Sequence, residues 1–395
     1  MEMSELRALL TPEGLRLLDE TGPVESTAAV AAAVSRLRAA GHGPDLVSAV
    51  VGQARLRSRA AAKFGPFAGR MLFTPAGLEQ ATRLSVAARH AGRFRDAGRR
   101  HIADLGCGIG GDALGFAALG LEVTAVDADE PTAAVAAYNL APFGDTVTVS
   151  HARAEDVDLS DMDAVWLDPA RRPVGGSHDD RLRADEYTPA LGWAFELAGR
   201  VPTGIKLGPG FDRDRIPDDV EAQWISVDGS TIELVLFSRE LAREGVRRAA
   251  LVVRGDEAHE LTSAHDAEDV GPRPLGAFLH EPDGAVIRAR LIGDVARSLD
   301  AGTLDERIAY LTSDEPITSP FVQSFRVREQ LPADEKKLAR ALRERGVGTL
   351  EIKKRGVDVD PSQLRTRLKL KGDASATLLL TRIGDKRTAI LADRV

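Results

Sequence analysis

The stretch "DLGCGIGGDALGFAALGLEVTAVDAD", Asp104 to Asp129, reads as a strand, a glycine-dense turn, a helix and a second strand that closes on acid. Such a unit cradles a nucleotide-like ligand at the end of a parallel sheet. Gly106, Gly108 and Gly111 satisfy the Gly-x-Gly-x-x-Gly pattern of dinucleotide sites, so the glycines alone leave two ligands open. One is a dinucleotide with a pyrophosphate. The other is S-adenosylmethionine, which has none. Asp104 weighs for the second. An anion two residues ahead of the first glycine would repel a pyrophosphate, whereas it can hold the cationic amino group of S-adenosylmethionine by a charge-assisted hydrogen bond. Gly106, Gly108 and Gly110 let the backbone come close to that ligand.

The acids that follow extend the argument. Asp127 ends the next strand and can accept two ribose hydroxyls, as it would for either ligand. Asp156, in "ARAED" after the third strand, stands where an acid can accept the adenine amino hydrogens. Asp129 reads as the N-cap of a helix opening at Pro131, and Cys107 as a small buried residue in the turn. A fourth strand ends in "WLDPARRP". Asp168 and Pro169 lie at the carboxyl edge of the sheet, where ligands bind. A carboxylate and a proline-shaped carbonyl there can accept hydrogen bonds from a nucleophilic amine or take its proton. Arg171 and Arg172 would hold a substrate phosphate or pair with nearby acids. Lys206, in "GIKLGPGFD" after the fifth strand, would face substrate or solvent. Gln80 and Thr82 are expected on a helix able to close over the donor.

Around this centre the chain divides by pattern. Residues 1–75 read as an alanine-rich helical region broken at "TGP" (21–23) and "GHGP" (41–44). Residues 76–245 alternate short apolar runs with helical stretches, which implies a parallel sheet covered on both faces. Two β-rich runs around "DGS" then predict a terminal antiparallel hairpin. Residues 246–310 read as a β-rich connector, with "RRAALVVRG" and "GAVIRARLIG" as strands. Residues 311–395 read β-α-β-α-β-β.

Composition sets outer limits. The 395 residues are too many for one core. No apolar run is long enough to span a membrane, no signal peptide is read at the N-terminus, and a single cysteine precludes an intrachain disulfide. These features fit the cytoplasm. The eight histidines show no metal-ligand spacing, so no metal is expected. Net charge is −8, but residues 320–395 hold 18 Lys/Arg against 10 Asp/Glu. A basic end on an acidic body suggests an anionic partner or a tail docked on the body.

With "LEQAT" (78–82), "DLGCGIGGD" (104–112), "VDAD" (126–129), "LDPARR" (167–172), "KLGPG" (206–210), "HEPDGAVIRA" (280–289) and "EIKKRGVDVDPSQLRTRLKLKG" (351–372), the chain resembles class I S-adenosylmethionine-dependent methyltransferases with a C-terminal THUMP-like domain. The resemblance implies a Rossmann-like sheet and donor binding by Asp104, the glycine turn, Asp127 and Asp156. It also places Asp168 and Pro169 toward the methyl acceptor. "DPAR" is similar to the Asp-Pro-Pro-Arg of tRNA guanine methyltransferases, with Ala170 in place of the second proline and no aromatic after it. THUMP-type domains are associated with RNA, which implies tRNA or rRNA as partner, and Lys353, Lys354, Arg355, Arg365, Arg367, Lys369 and Lys371 would be its phosphate contacts. Two alternatives remain open at this point: a methyltransferase for a small molecule or protein, and a non-catalytic RNA-binding protein with a retained donor pocket.

Overall fold

A computed structural model describes residues 3–171 and 187–395, apart from the side chain of Arg171. The chain forms two compact units. One comprises Met1–Leu207, Asp212–Val220 and Leu236–Ala242; the other comprises Gly208–Phe211, Glu221–Val235 and Arg243–Val395.

The first unit opens with four helices, α1 (Met3–Leu9), α2 (Pro12–Thr21), α3 (Thr27–Ala39) and α4 (Pro44–Phe64). Their starts are chemically marked. The hydroxyls of Thr11 and Ser26 accept the backbone N–H of Gly14 and Ala29, and Pro12 and Pro44 sit in first turns, where no donor is needed. The breaks at 21–23 and 41–44 fall where the turn residues put them.

Next come α5 (Pro75–Gln80), α6 (Leu84–Asp96), β1 (His101–Leu105), α7 (Gly111–Ala118), β2 (Glu122–Asp127), α8 (Glu130–Leu140), β3 (Val147–His151) and β4 (Ala164–Leu167). A two-residue pair, β5 (Ala170–Arg171) with β6 (Tyr187–Thr188), precedes α9 (Leu191–Ala198) and β7 (Thr203–Leu207). β3, β2, β1, β4 and β7 pair in that order, all parallel. Asp129 caps α8 by accepting the Thr132 N–H at 3.1 Å, and Cys107 is buried.

Trp166 of β4 anchors this core. It is fully buried, with the rings of His90, Phe94 and Phe116 around it at centroid distances of 4.5, 6.0 and 6.0 Å. Gly204 lies opposite it on β7, where a Cβ would come within 2.7 Å of the indole ring. Gly115 of α7 is equally constrained, because a Cβ there would stand 2.7 Å from the Ala87 backbone of α6. The two helices therefore pack backbone to backbone, and this brings His90 within reach of the first turn of α7.

The sequence then forms β8 (Glu221–Val227) and β9 (Ser230–Phe237). Asp228 and Gly229 both have positive φ, +50° and +80°, as the two-residue hairpin turn requires. β10 (Arg248–Arg254) lies parallel to β8, and β11 (Glu257–Ser263) is antiparallel to β10. Strand order through the sheet is β11-β10-β8-β9-β7-β4-β1-β2-β3. This is the mostly parallel sheet with an antiparallel end that the sequence pattern implied.

The second unit continues with β12 (Phe278–Pro282), α10 (Gly284–Arg288), α11 (Ile292–Ser298), β13 (Gly302–Asp305), β14 (Ile308–Ser313), β15 (Val322–Leu331), α12 (Glu335–Glu344), β16 (Val347–Lys354), α13 (Pro361–Leu368), β17 (Ala374–Ile383) and β18 (Lys386–Arg394). From β15 onward the order is the expected β-α-β-α-β-β. These strands form a mixed sheet, β13-β14-β12-β15-β18-β17-β16. Leu338, Leu342, Leu364 and Leu368 of α12 and α13 are buried in one core with Val347, Leu350, Leu378 and Leu391 of the sheet.

One segment departs from its sequence reading. "GAVIRARLIG" (284–293), expected as a strand, forms α10 and the start of α11. Asp283 caps the helix by accepting the Ala285 N–H at 2.9 Å. Gly284 leaves room for Thr231, whose hydroxyl would lie 2.2 Å from a Cβ at that position. Arg290, at φ +61°, separates the two helices. The β-branched residues suggested a strand, and the cap with the packing of Ala285 and Val286 outweighs them.

Gly204→Ala is expected to lower stability by about 1–3 kcal/mol through overpacking against Trp166. Urea denaturation checks this, and an unchanged midpoint would contradict the packing described.

Candidate active site at the carboxyl edge of the parallel sheet

All residues of this site belong to the first unit. At the end of β1 the chain turns sharply. The Gly106 and Cys107 N–H groups both donate to Val126 O at 2.9 Å, and the Gly110 N–H donates to Cys107 O at 2.9 Å. Gly106, Gly108 and Gly110 have φ of +88°, +56° and +86°, values that side chains other than glycine disfavour. At Gly106 a Cβ would also stand 3.0 Å from Asp168 O. The turn thus holds the chain after β1 against the chain after β4.

The turn is pinned from outside by an amide side chain that sequence reasoning did not single out. Asn139 of α8 donates to Ile109 O and Leu72 O and accepts the Leu72 N–H at 2.7 Å. Gln53 of α4 does the same for Phe73. Lys63 donates to the carbonyls of Leu78, Glu79 and Ala81, closing the end of α5. Contrary to expectation, Thr82 is not helical: α5 ends at Gln80, and Ala81 is extended. Gln80 itself is exposed.

Asp127 is oriented by two backbone donors, Gly108 N at 3.0 Å and Asp129 N at 2.9 Å. Burial raises its pKa, and those two bonds oppose the shift. Asp156 is exposed in a short turn after β3. Asp168 is half-buried and Pro169 buried just beyond β4. The backbone of Arg171 pairs with Tyr187. Arg172 lies outside the described residues.

Behind the turn lies a charged network. Lys206 of β7 is buried, and its ammonium meets Asp168 Oδ2 at 2.5 Å, Thr82 Oγ1 at 3.0 Å and Asp112 Oδ2 at 3.6 Å. Asp112, in the first turn of α7, accepts the Thr82 hydroxyl at 2.7 Å, and its other oxygen lies 2.8 Å from His90 Nδ1. Burial alone would raise the Asp112 pKa. Lys206, His90 and Thr82 outweigh it and hold the carboxyl at about 2. Asp112 therefore adds stability above the ordinary carboxylate range, and that stability is lost as pH falls toward about 2. Asp112 and His90 carried no motif signal of their own. Asp112 was visible only as the acid closing "GIGGD".

Asp104 is the opposite case. It is 1% exposed, and among the described residues both carboxylate oxygens are buried without a hydrogen-bond partner. Burial, then the charges of Asp112 and Asp168, push its pKa well above the carboxylate range, with Lys206 pulling the other way. A buried acceptor pair without a donor is costly. A cationic ligand group would supply what is missing.

Lys353, Lys354 and Arg355 lie in the second unit at the end of β16. Lys353 meets Glu281 Oε2 at 2.5 Å, and Arg355 approaches the same carboxylate at 3.7 Å. Both also lie over aromatic rings, of Phe325 and Tyr310 respectively. Lys354 is exposed.

Comparison with known proteins fits this geometry. A methyltransferase domain family matches residues 102–170, a THUMP domain-like family matches 322–394, and a domain of unknown function matches 2–60. The chain is 35% identical over 338 residues, 83% of its length and 91% of theirs, to proteins named uncharacterized S-adenosylmethionine-dependent methyltransferases in Mycobacterium tuberculosis strains H37Rv and CDC 1551. The chain belongs to the S-adenosylmethionine-dependent methyltransferases, enzymes that use that donor. A Porphyromonas gingivalis W83 protein named as a methyltransferase has the same fold, with a TM-score of 0.69 at 19% identity over 94% of this chain and 99% of that one. Among the described residues no helix is long and apolar enough to cross a membrane. The donor fits the residues present, because its amino group is a cation and Asp104 is an orphaned buried acceptor.

Asp104→Asn separates binding from stability. The raised pKa means that the folded state holds a proton the unfolded state releases. The stability this contributes is complete below the unfolded value and is lost as pH rises through the folded one. The variant is expected to melt at or above the parent temperature at neutral pH. Its affinity for S-adenosylhomocysteine should fall at least about 30-fold, the low end for removing one partner of a buried charge pair. Calorimetry and a thermal melt check both; unchanged affinity would remove Asp104 from the donor site.

Proposed function

We propose that the protein methylates a base nitrogen of a structured RNA, tRNA or rRNA. The observation that carries this reading is the basic THUMP-like region at 322–394, joined in one chain to a methyltransferase site. The donor supplies a methyl group on a sulfonium. The chain's own residues bind and orient it. In this reading Asp104 holds the amino group and Asp127 the ribose hydroxyls. Asp156 receives the adenine amino hydrogens, the glycine turn lies along the donor, and Gln80 closes over it. Asp168 and the Pro169 carbonyl accept hydrogen bonds from the acceptor nitrogen and direct its lone pair. As the N–C bond forms, the bond from the methyl to the sulfonium breaks and its electron pair stays on sulfur, so S-adenosylhomocysteine leaves as a neutral thioether, and the proton on nitrogen passes to Asp168 or solvent. Much of the rate would come from orientation and exclusion of water. Arg171 and Arg172 are proposed as phosphate contacts beside this site.

Charge pairing in the second unit refines the RNA contacts. Arg328, Arg345, Arg367 and Arg394 pair with Asp393, Glu329, Glu335 and Glu351, and Lys353 and Arg355 share Glu281. Lys336, Lys337, Lys354, Lys369 and Lys371 are exposed. These lysines come from a stretch, 335–371, without an aromatic residue, which suits phosphate contact and recognition by shape rather than stacking on single-stranded bases.

Labelled donor, incubated with total RNA from cells lacking the protein and followed by nucleoside mass analysis, is expected to show one methylated base. No label in any RNA fraction would favour a small-molecule or protein acceptor. Replacing Lys369 and Lys371 together by Glu should weaken RNA binding by roughly 10-fold and flatten its log–log salt dependence by about 2. S-adenosylhomocysteine affinity should stay as it was.

A further inference from the structure

Lys206 leaves the carboxyl end of β7 and ends inside the protein. An ammonium has three N–H donors. Asp168, Thr82 and Asp112 stand around this one. A side chain so engaged, and only 9% exposed, is not placed to recognise a methyl acceptor. Its surroundings suggest another task. Four acids from four elements crowd together: Asp104 on β1, Asp112 on α7, Asp127 at the end of β2 and Asp168 after β4. Asp112, Asp168 and Asp127 all disfavour a charge on Asp104, adding to the larger effect of burial, and Lys206 favours it. His90 of α6 faces this cluster through Asp112.

We propose that Lys206 is a positioning residue of the donor site: acting through the acids around it, its ammonium sets the pH range over which Asp104 captures the donor's amino group. The inference rests on the reading of Asp104 given above. Capture requires the carboxylate form. On the acid side each binding event therefore releases a proton, and affinity climbs with pH until Asp104 is already ionised in the free protein. Lys206 acts twice, with opposite signs. It favours the carboxylate, and it repels the incoming ammonium. Its removal moves the midpoint of the pH profile upward and tightens the plateau. A lysine that merely packs would do neither.

The experiment uses the full-length protein and two probes. S-adenosylhomocysteine carries the amino-acid portion of the donor, and 5′-methylthioadenosine lacks it. Dissociation constants are measured by calorimetry from mildly acidic to mildly alkaline pH. In the parent protein the first probe should bind more tightly as pH rises and then level off, while the second stays flat. In Lys206→Met the midpoint for the first probe should move up by at least about one pH unit. In Asp112→Asn it should move down. The double variant, which removes one charge of each sign, should return it close to the parent value. Methylthioadenosine affinity within about threefold of the parent shows that the pocket is intact. If Lys206→Met does not fold, Asp112→Asn against the double variant makes the same comparison. Coincident midpoints in parent and variants would overturn the proposal, as would equal weakening of both probes, which assigns Lys206 to the fold alone. A flat profile for S-adenosylhomocysteine in the parent protein would instead overturn the reading of Asp104 and the inference with it.

Discussion

A buried ammonium without acceptors would not be tolerated, and the catalytic unit is arranged around that constraint. Lys206 needs partners, and they arrive from three other parts of the chain: Asp112 from the first turn of α7, Thr82 from beyond α5, and Asp168 from the end of β4. Each arrival has its own cause. The Gly115 contact draws α7 onto α6. Lys63 holds the carbonyls around the end of α5. Trp166, packed among Phe94, Phe116 and His90, fixes the strand that leads into Asp168. Apolar packing and the Lys63 hydrogen bonds thus do the placing, and the partners of Lys206 meet its ammonium where that packing leaves them.

The same network leaves Asp104 unsatisfied. Two neighbouring acids of one short motif end in opposite states. Asp112 is held at about 2 by an ammonium, an imidazole and a hydroxyl, and Asp104, eight positions earlier in the chain, is pushed up by burial and by its neighbours' charges. A donor with a cationic amino group resolves that imbalance. The site is therefore less stable than it would be with a neutral residue at 104, a cost often met where binding requires an uncompensated group.

The C-terminal unit shows why a count of charges is a poor guide to a surface. The excess of basic residues at 320–395 is real, but Lys353 and Arg355, part of its densest cluster, are drawn onto Glu281, which lies 72 residues from Lys353. The lysines of α12 and of the segment after α13 remain at the surface, where they can meet a polyanion.

Local pattern sufficed for much of this molecule. The strand–turn–helix at 104–118, the cap at Asp129, the Asp228-Gly229 hairpin and the order of the last six elements were legible because each depends on residues a few positions apart. The segment 284–293 was misread because β-branched residues suit a strand, and what made it helical was a cap at Asp283 and room beside Thr231. Lys206 was legible as a residue near the sheet edge but not as a buried one, since its partner Thr82 stands 124 positions away. The sequence by itself determined most of the elements, the glycine turn and the position of Asp104, Asp127 and Asp168 at the sheet edge. Only the tertiary structure decided which of those acids received a counter-ion, because charge state depends on burial and on partners a few ångströms away in space, and neither is a local property of the chain.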